Sequence, residues 1–417
     1  MNHVLLVGYH PSIGRLLAAP ATSHPEQVHL MEEPSLFEPT LPFLHLDEPE
    51  LGGIVEVRTA RYQQRDEYSA LVSSWADDIS FDAVMPGREY GVQASGAIAR
   101  MLDLPHPGKT AIEACTNKLK LRSVCGEFGI PQPAFSPVRS ADDLREFVRA
   151  NGSGVVKPAN RHAALGVSKV EDAGEVEAAW LRTTSDPGPD AVSDRDLQWD
   201  YLAEEWLDGQ QVSVESLVSQ GTTVFHNVTW VELDPGLDFV EAACIVPAPL
   251  PESDYGAIID AQEALLGAIQ ARVGLFHSEW KLTESGPRLL ECAARVPGGL
   301  LPEQIWWAWD FNICLAFSQV LQGRKLAPRP PSSPRRACLI RFLYAEAGEV
   351  KSIEGLGVVR STPQIADFKC VSVGERVDAT RNPWNYSARF VLVGDSVQEV
   401  QDLRARIDGE FRVVTTG

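Results

Sequence analysis

Lysine is scarce in this chain. Only nine of its 417 residues are Lys, and Lys and Arg together number 37 against 57 Asp and Glu, a formal net charge of −20. Nucleic acid and anionic membrane surfaces are bound by clustered cations, so a balance this acidic argues against both partners. A local basic pocket for a small phosphate ligand stays compatible with it. Long apolar runs are also missing, and nothing approaches the ~20 residues that a membrane-spanning helix needs. The opening MNHVLLVGYHPSIG has no basic n-region and turns within a few residues, so it reads as a first buried strand rather than a signal peptide. Paired cysteine spacing is absent too. The seven cysteines are odd in number, scattered and never in a CxxC spacing, which fits reduced thiols in a cytoplasmic protein better than disulfides or a zinc site. With 44% hydrophobic and 23% charged residues the composition is that of a globular protein, and disorder is excluded.

Val4-Leu5-Leu6-Val7-Gly8 is a continuous apolar run ending in glycine, the pattern of a buried parallel strand. Residues 81–86 read as another strand, and an amphipathic helix follows at about 89–102. This alternation predicts an α/β first domain over 1–109. The Pro-, Glu- and His-rich segment at 20–53 predicts no element. One helix is expected from Thr110 to Phe128, stopped by Gly129-Ile130-Pro131. Strand-like runs at 154–157, 202–206, 212–218 and 222–230 precede a helix at about 252–273 and a hairpin at 276–292. Residues 325–337, rich in Pro, Arg and Ser, read as a linker to a small strand-rich α+β unit over 338–417.

The hairpin carries the strongest chemical signal. With a turn over residues 283–287, Leu282 pairs with Arg288, and counting outward sets Glu279 opposite Glu291. His277, Glu279, Lys281, Leu289, Glu291 and Arg295 then share one face. Ser278, Trp280, Leu282, Leu290 and Cys292 share the other, which is mostly apolar and suits a core. Two carboxylates directly opposite on a sheet repel each other. A cation between them removes that penalty, and hard oxygen ligands at this spacing suit Mg²⁺ carrying nucleotide phosphates. A solvated face neutralised by Lys281 and Arg295 meets the same spacing, and a one-residue slip undoes the pairing. Arg295-Val296-Pro297-Gly298-Gly299 follows at once. A cation beside a carboxylate pair, with glycines permitting close backbone approach, fits a site where an anionic group is polarised or transferred; Pro-Gly-Gly alone is an ordinary turn.

Lys157 ends the apolar strand Gly154-Val155-Val156, just before Pro158, and Ala203–Gly209 reads as a strand turning at glycine. In chain order, Asn117-Lys118, Val155-Val156-Lys157-Pro158, Glu204-Glu205-Trp206-Leu207-Asp208-Gly209, Ser213-Val214-Glu215, His277-x-Glu279 and Glu291-xxx-Arg295-xx-Gly298-Gly299 resemble the ATP-grasp superfamily. The nearest likeness is to its carboxylate–amine ligases, especially the L-amino-acid (dipeptide) ligases. The resemblance implies an α/β ATP-grasp fold: an N-terminal Rossmann-like domain (1–109), a two-lobed ATP-binding core (110–324), the linker and an α+β extension (338–417). It implies that Lys118 and Lys157 contact ATP phosphates, that Glu204, Glu205, Trp206 and Leu207 hold the adenine, and that Gln211 holds the ribose. Glu279 and Glu291 would bind Mg²⁺. Arg295, acting with Glu291, would stabilise an acyl phosphate, while Gly298 and Gly299 would border the substrate. Glu241 would recognise an amine, although a surface glutamate at a sheet edge fits its sequence as well. The implied activity is ATP-dependent amide formation between a small carboxylic acid and an amino acid, with release of ADP and phosphate. A cytoplasmic homodimer is expected on the same ground.

Four positions depart from that pattern. Gln211 stands where a ribose-binding glutamate is common, and Ala293 where many relatives have a metal-binding Asn. Cys244 stands where a histidine often follows the amine-binding glutamate. The loop after Lys157 has one glycine, Gly166, instead of several, with Arg161 or His162 to supply charge. Trp306, Trp307 and Trp309 lie on an expected helix, where core or interface packing is favoured over an acyl pocket. Two other readings stay open at this level: a carboxylase-like enzyme activating bicarbonate, and a degenerate ATP-binding module with little turnover.

Overall fold

The computed structural model of the chain describes residues 2–17, 26–41, 44, 54–162, 164–185, 192–193, 197–378 and 385–416. Strands β1 (Asn2–Val7), β2 (Glu26–Glu32), β3 (Ile54–Thr59) and β4 (Ala83–Pro86) form a parallel sheet in the order β3-β2-β1-β4. Val4 and Leu6 enter one hydrophobic cluster while Leu5 and Val7 enter another, so the apolar run of β1 is buried on both faces. The strand order reverses at β1, which opens a crevice beyond the carboxyl ends of β1 and β4. There the two following turns touch: a Cβ on Gly87 would lie 1.9 Å from the Gly8 carbonyl oxygen, so only glycine fits.

The segment that predicts no element contains β2 and the helix Pro34–Thr40; its residues 20–25, 42–43 and 45–53 lie outside the described residues. β2 escapes notice because Glu26, His29 and Glu32 are buried although polar. Glu32 is satisfied there by the Tyr9 and Glu33 amides and the Tyr62 hydroxyl. The single helix expected from Thr110 is two, Lys109–Thr116 and Lys118–Phe128. Asn117 breaks it with an extended backbone (φ −148°) and caps the second helix by accepting from the Leu119 and Lys120 amides. Gly129, left-handed at φ 69°, ends that helix where the sequence places the stop.

Strands β5 (Phe135–Val138), β6 (Gly154–Pro158), β7 (Ser168–Val170) and β8 (Tyr201–Glu205) build a second, antiparallel sheet in the order β5-β8-β6-β7. The helices Ala141–Asn151 and Val176–Ser185 cover it. The largest sheet draws on β9 (Gln210–Ser219), β10 (Thr222–Leu233), β11 (Glu241–Val246), β12 (Gly274–Thr283), β13 (Gly286–Ala293) and β14 (Ala337–Leu343). After β15 (Gly348–Glu354), β16 (Ile365–Cys370), β17 (Arg376–Val377), β18 (Ala388–Gly394) and β19 (Arg412–Thr415), its full order is β13-β12-β9-β10-β11-β14-β18-β16. The helix Glu252–Ala268 packs against Val212, Val214 and Trp280. The helices Leu301–Trp309 and Ile313–Leu321 pack with Leu217 and Val231 in another cluster. Pairing of β11 with β14 carries this sheet across the 325–337 segment into the C-terminal unit.

The hairpin corrects two expectations and keeps a third. Its turn is Glu284-Ser285 alone, with Thr283 opposite Gly286 and Leu282 opposite Pro287. A bulge then absorbs Leu290: Trp280 pairs with Leu289, and Glu279 with Glu291. The two offsets cancel at the carboxylates. They do not cancel between turn and bulge, so Leu289, not Leu290, joins Trp280 in the core.

Candidate active site

Three segments bring the predicted lysines together. Lys118 opens its helix because Asn117 caps it, and its own amide bonds the Ala159 carbonyl at 2.7 Å. Its ammonium lies 2.9 Å from Glu291 and donates to the Arg161 carbonyl at 2.8 Å. Burial opposes the charge on both partners, yet their attraction wins: Lys118 is raised, and Glu291 is pushed down to about 2 by Lys118 and Lys157. Lys157, at the end of β6, pairs with Glu204 at 2.6 Å, and burial lowers its pKa against that attraction. Glu204 also accepts from Arg122 at 2.8 Å; burial would raise its pKa, but the two cations hold it below the usual carboxylate range. Both oxygens of Glu204 are therefore spent. Arg122 lies one helical turn after Lys118, a spacing visible in the sequence, and its other guanidinium arm donates to the Leu290 carbonyl.

The segment after β8 is partly committed. The Glu205 and Trp206 amides bond the Ala134 and Ser153 carbonyls, and the Glu205 carboxylate accepts from the Ala134 amide and Arg288. The Trp206 indole donates to Asp208, and Lys169 lies over its ring at 4.4 Å. Gln211 donates to Glu279 at 3.2 Å.

Behind the facing carboxylates lies a second layer. His277 sits between Glu215 at 2.9 Å and Glu279 at 3.6 Å. Burial works against its charge, but the two carboxylates push its pKa up to about 10, so the ring is an imidazolium. Glu215 is buried and accepts from Ser213, Asn227 and Thr229 as well. Asn227 is held in turn by the Trp309 indole, so Trp309 packs in the core; Trp306 and Trp307 rest partly buried against the same cluster. Glu241 begins β11, and burial first, then Glu279, pushes its pKa up to about 7. The Cys244 thiol approaches its carboxylate at 3.7 Å, and the Tyr344 hydroxyl donates to its carbonyl. This is not a solvated sheet-edge glutamate.

Arg295 is tied to Glu89 at 2.6 Å. That contact spans 206 positions of sequence, so no local pattern announces Glu89. Gly298 and Gly299 form an exposed turn with nothing within 4 Å of where a Cβ would stand on either. A narrow cleft nearby is bordered by Glu89, Lys118, Arg161, His162, Glu291 and Ala293. Among the described residues no three His, Cys, Asp or Glu side chains converge as a metal cage. Two facing carboxylates fit Mg²⁺ nonetheless, because that ion takes one or two carboxylates and completes its shell with water and substrate phosphates.

The ATP-grasp domain description matches residues 152–302, spanning Lys157, Glu204, Glu279, Glu291 and Arg295. Residues 152–302 are thus an ATP-grasp domain. Beyond this ATP-grasp domain, residues 341–416 match the L-amino acid ligase C-terminal domain 2. The whole chain superposes on the L-amino acid ligase from Bacillus licheniformis with a TM-score of 0.78 at 20% identity, covering 100% of this chain and 99% of that one. The expected α/β ATP-grasp fold is thus the observed one. An uncharacterized protein, y4rH, from Sinorhizobium fredii is 26% identical over 73% of this chain and 61% of its own length. Carnosine synthase 1 from Homo sapiens is 27% identical over 80% of this chain and 41% of its own length. The chain therefore spans less than two thirds of the length of both sequence relatives.

Proposed function

We propose that this chain is an ATP-dependent carboxylate–amine ligase that forms an amide or peptide bond, with an amino acid among its substrates. The observation that carries the reading is Glu279 facing Glu291 beside Lys118, Lys157 and Arg295. Carboxylates and cations are interleaved here, Lys118 against Glu291, Lys157 against Glu204 and Arg295 against Glu89, so a metal-bound polyphosphate meets both signs. Adenine lies against the segment after β8, where the Leu207 amide is left once Glu205 and Trp206 are bonded within the lobe. Gln211 reaches the ribose, and Lys118 and Lys157 reach the phosphates, with Glu204 positioning Lys157.

Glu279 and Glu291 would hold Mg²⁺, which would supply charge neutralisation to the bound polyphosphate. A carboxylate oxygen of the acid attacks the γ-phosphorus and ADP leaves, giving an acyl phosphate. The amine nitrogen then attacks the acyl carbon and phosphate departs. Arg295, aimed by Glu89, stabilises the negative charge of both stages, and the Gly298-Gly299 turn lets the acid approach the backbone. Glu241 receives the ammonium of the amino acid. The protein contributes position and charge rather than covalent chemistry.

The C-terminal match and the half-buried, raised-pKa carboxyl of Glu241 support a ligase over a bicarbonate-activating enzyme. Domains at 1–109, 110–324 and 338–417 joined by the 325–337 linker, a homodimer and a cytoplasmic location belong to the same reading. Light scattering tests the dimer. Phosphorus NMR with ATP, Mg²⁺ and pooled amino acids tests the chemistry: ADP and phosphate appearing only with amino acids support it. AMP and pyrophosphate, or no turnover with any pool, would sink it.

A further inference from the structure

On the ligase reading the loop after β6 covers phosphates, yet it carries one glycine, Gly166, where a flexible cover needs several. The structure shows it fastened down instead. Ala159 bonds the Asp200 carbonyl, and Asn160 exchanges bonds with the Gln198 carbonyl and the Asp200 amide. Gln198 is in turn clasped at both its amide and its carbonyl by Gln64 of the first domain. The Arg161 guanidinium lies 5.1 Å over Trp199, and the Tyr90 ring stands 5.0 Å from His162 and 5.9 Å from Trp199.

What this fastening presents is His162. It borders the cleft beside Lys118 and Glu291, and its Nε2 is buried with no hydrogen-bond partner among the described residues. A buried polar nitrogen left open is uncommon, because it forfeits water without replacement. Burial, and then the charges of Arg295 and Lys118, push the ring down to about 3, so it is neutral. This open nitrogen lies at the end of β6 away from the segment after β8, among Lys118, Arg295 and Glu291, where a phosphate oxygen can meet it. Toward a phosphate oxygen, Nε2 can act only as an N–H donor.

We propose that His162 is a further catalytic residue of this site, donating from Nε2 to the terminal phosphoryl group of bound nucleoside triphosphate. The inference rests on the ligase reading. It assigns to one side chain part of the work that a glycine-rich cover does with backbone amides, and it explains why the loop is held rather than free. Because the donor is neutral, an amide side chain of similar reach can replace it.

Calorimetric titration of the full chain with the β,γ-imido analogue of ATP and with ADP, both with Mg²⁺, tests this. His162→Ala should weaken the triphosphate analogue about tenfold or more and leave ADP unchanged. His162→Gln should restore most of the difference. In the wild type, the ring N–H of His162 should appear as a downfield proton resonance on adding the analogue but not ADP, a readout independent of any variant's folding. Equal weakening of both nucleotides, no weakening of either, or Gln as poor as Ala would overturn the inference alone, as would no change in the ring signal. Failure of the wild type to bind either nucleotide would overturn the ligase reading, and this inference with it.

Discussion

Glu204 and Glu291 each hold a lysine of the cleft, but they differ in what remains after that bond. Glu204 is 2% exposed and gives one oxygen to Arg122 and the other to Lys157. Glu291 keeps about a quarter of its side chain exposed, meets Lys118, and faces Glu279 across the hairpin. A saturated buried carboxylate can only be scaffold, because any new ligand must first break an ion pair in a dry interior. A half-open carboxylate opposite another carboxylate is under repulsion that a cation relieves. The same residue type, paired with a lysine in both cases, is thus fitted to structure in one place and, on the proposed reading, to chemistry in the other.

The sharpest way to break this comparison is to neutralise each carboxylate in turn. Glu291→Gln should lower ATP turnover about a thousandfold while the chain still folds; turnover within tenfold would refute the assignment. Glu204→Ala should do the reverse first, costing about 3–5 kcal/mol of stability in denaturant titration by leaving Arg122 and Lys157 buried without a counter-ion. A stability equal to wild type would mean that Glu204 is not scaffold. Glu241→Ala is expected to raise KM for the amine-bearing substrate by about 10–100-fold and leave KM for ATP alone, as steady-state kinetics would show.

The smallest effect is in acid. Glu291 titrates near pH 2 in the folded chain, against about 4.3 unfolded. Its contribution to stability is therefore present above about pH 4.3 and drains away as pH falls toward 2, by at most about 1.4 kcal/mol per pH unit. Glu291→Gln should flatten that limb, and an unchanged acid limb would show that Lys118 does not hold the charge.

How legible all this is in the sequence depends on how local each cause is. The facing of Glu279 and Glu291 is readable because hairpin pairing is counted from the turn, and it survives a wrong turn only because the bulge at Leu290 compensates. The bulge itself has no sequence signature here, and the swap of Leu289 for Leu290 in the core follows from it. β2 is illegible because its burial of Glu26, His29 and Glu32 depends on partners such as Tyr62, thirty positions from Glu32. The break at Asn117 is marked by a good capping residue, but the helical pattern on either side hides it. Arg295 is recognisable from its motif, whereas its partner Glu89 is not.

The pairing of β11 with β14 gives the C-terminal unit a standing that its proline-rich approach conceals. Ala243–Val246 are laced to Cys338–Arg341, Arg341 donates to the Ala242 carbonyl, and Tyr344 reaches Glu241. Cutting the chain within 325–337 would strip a sheet edge of its neighbour along β11, baring a row of amides and carbonyls that invites pairing between molecules. Such a truncation should precipitate rather than yield a trimmed enzyme. The last eighty residues are thus less a passenger than a seam, and any exchange of that unit between relatives must bring a strand that can be sewn to β11 in the same register.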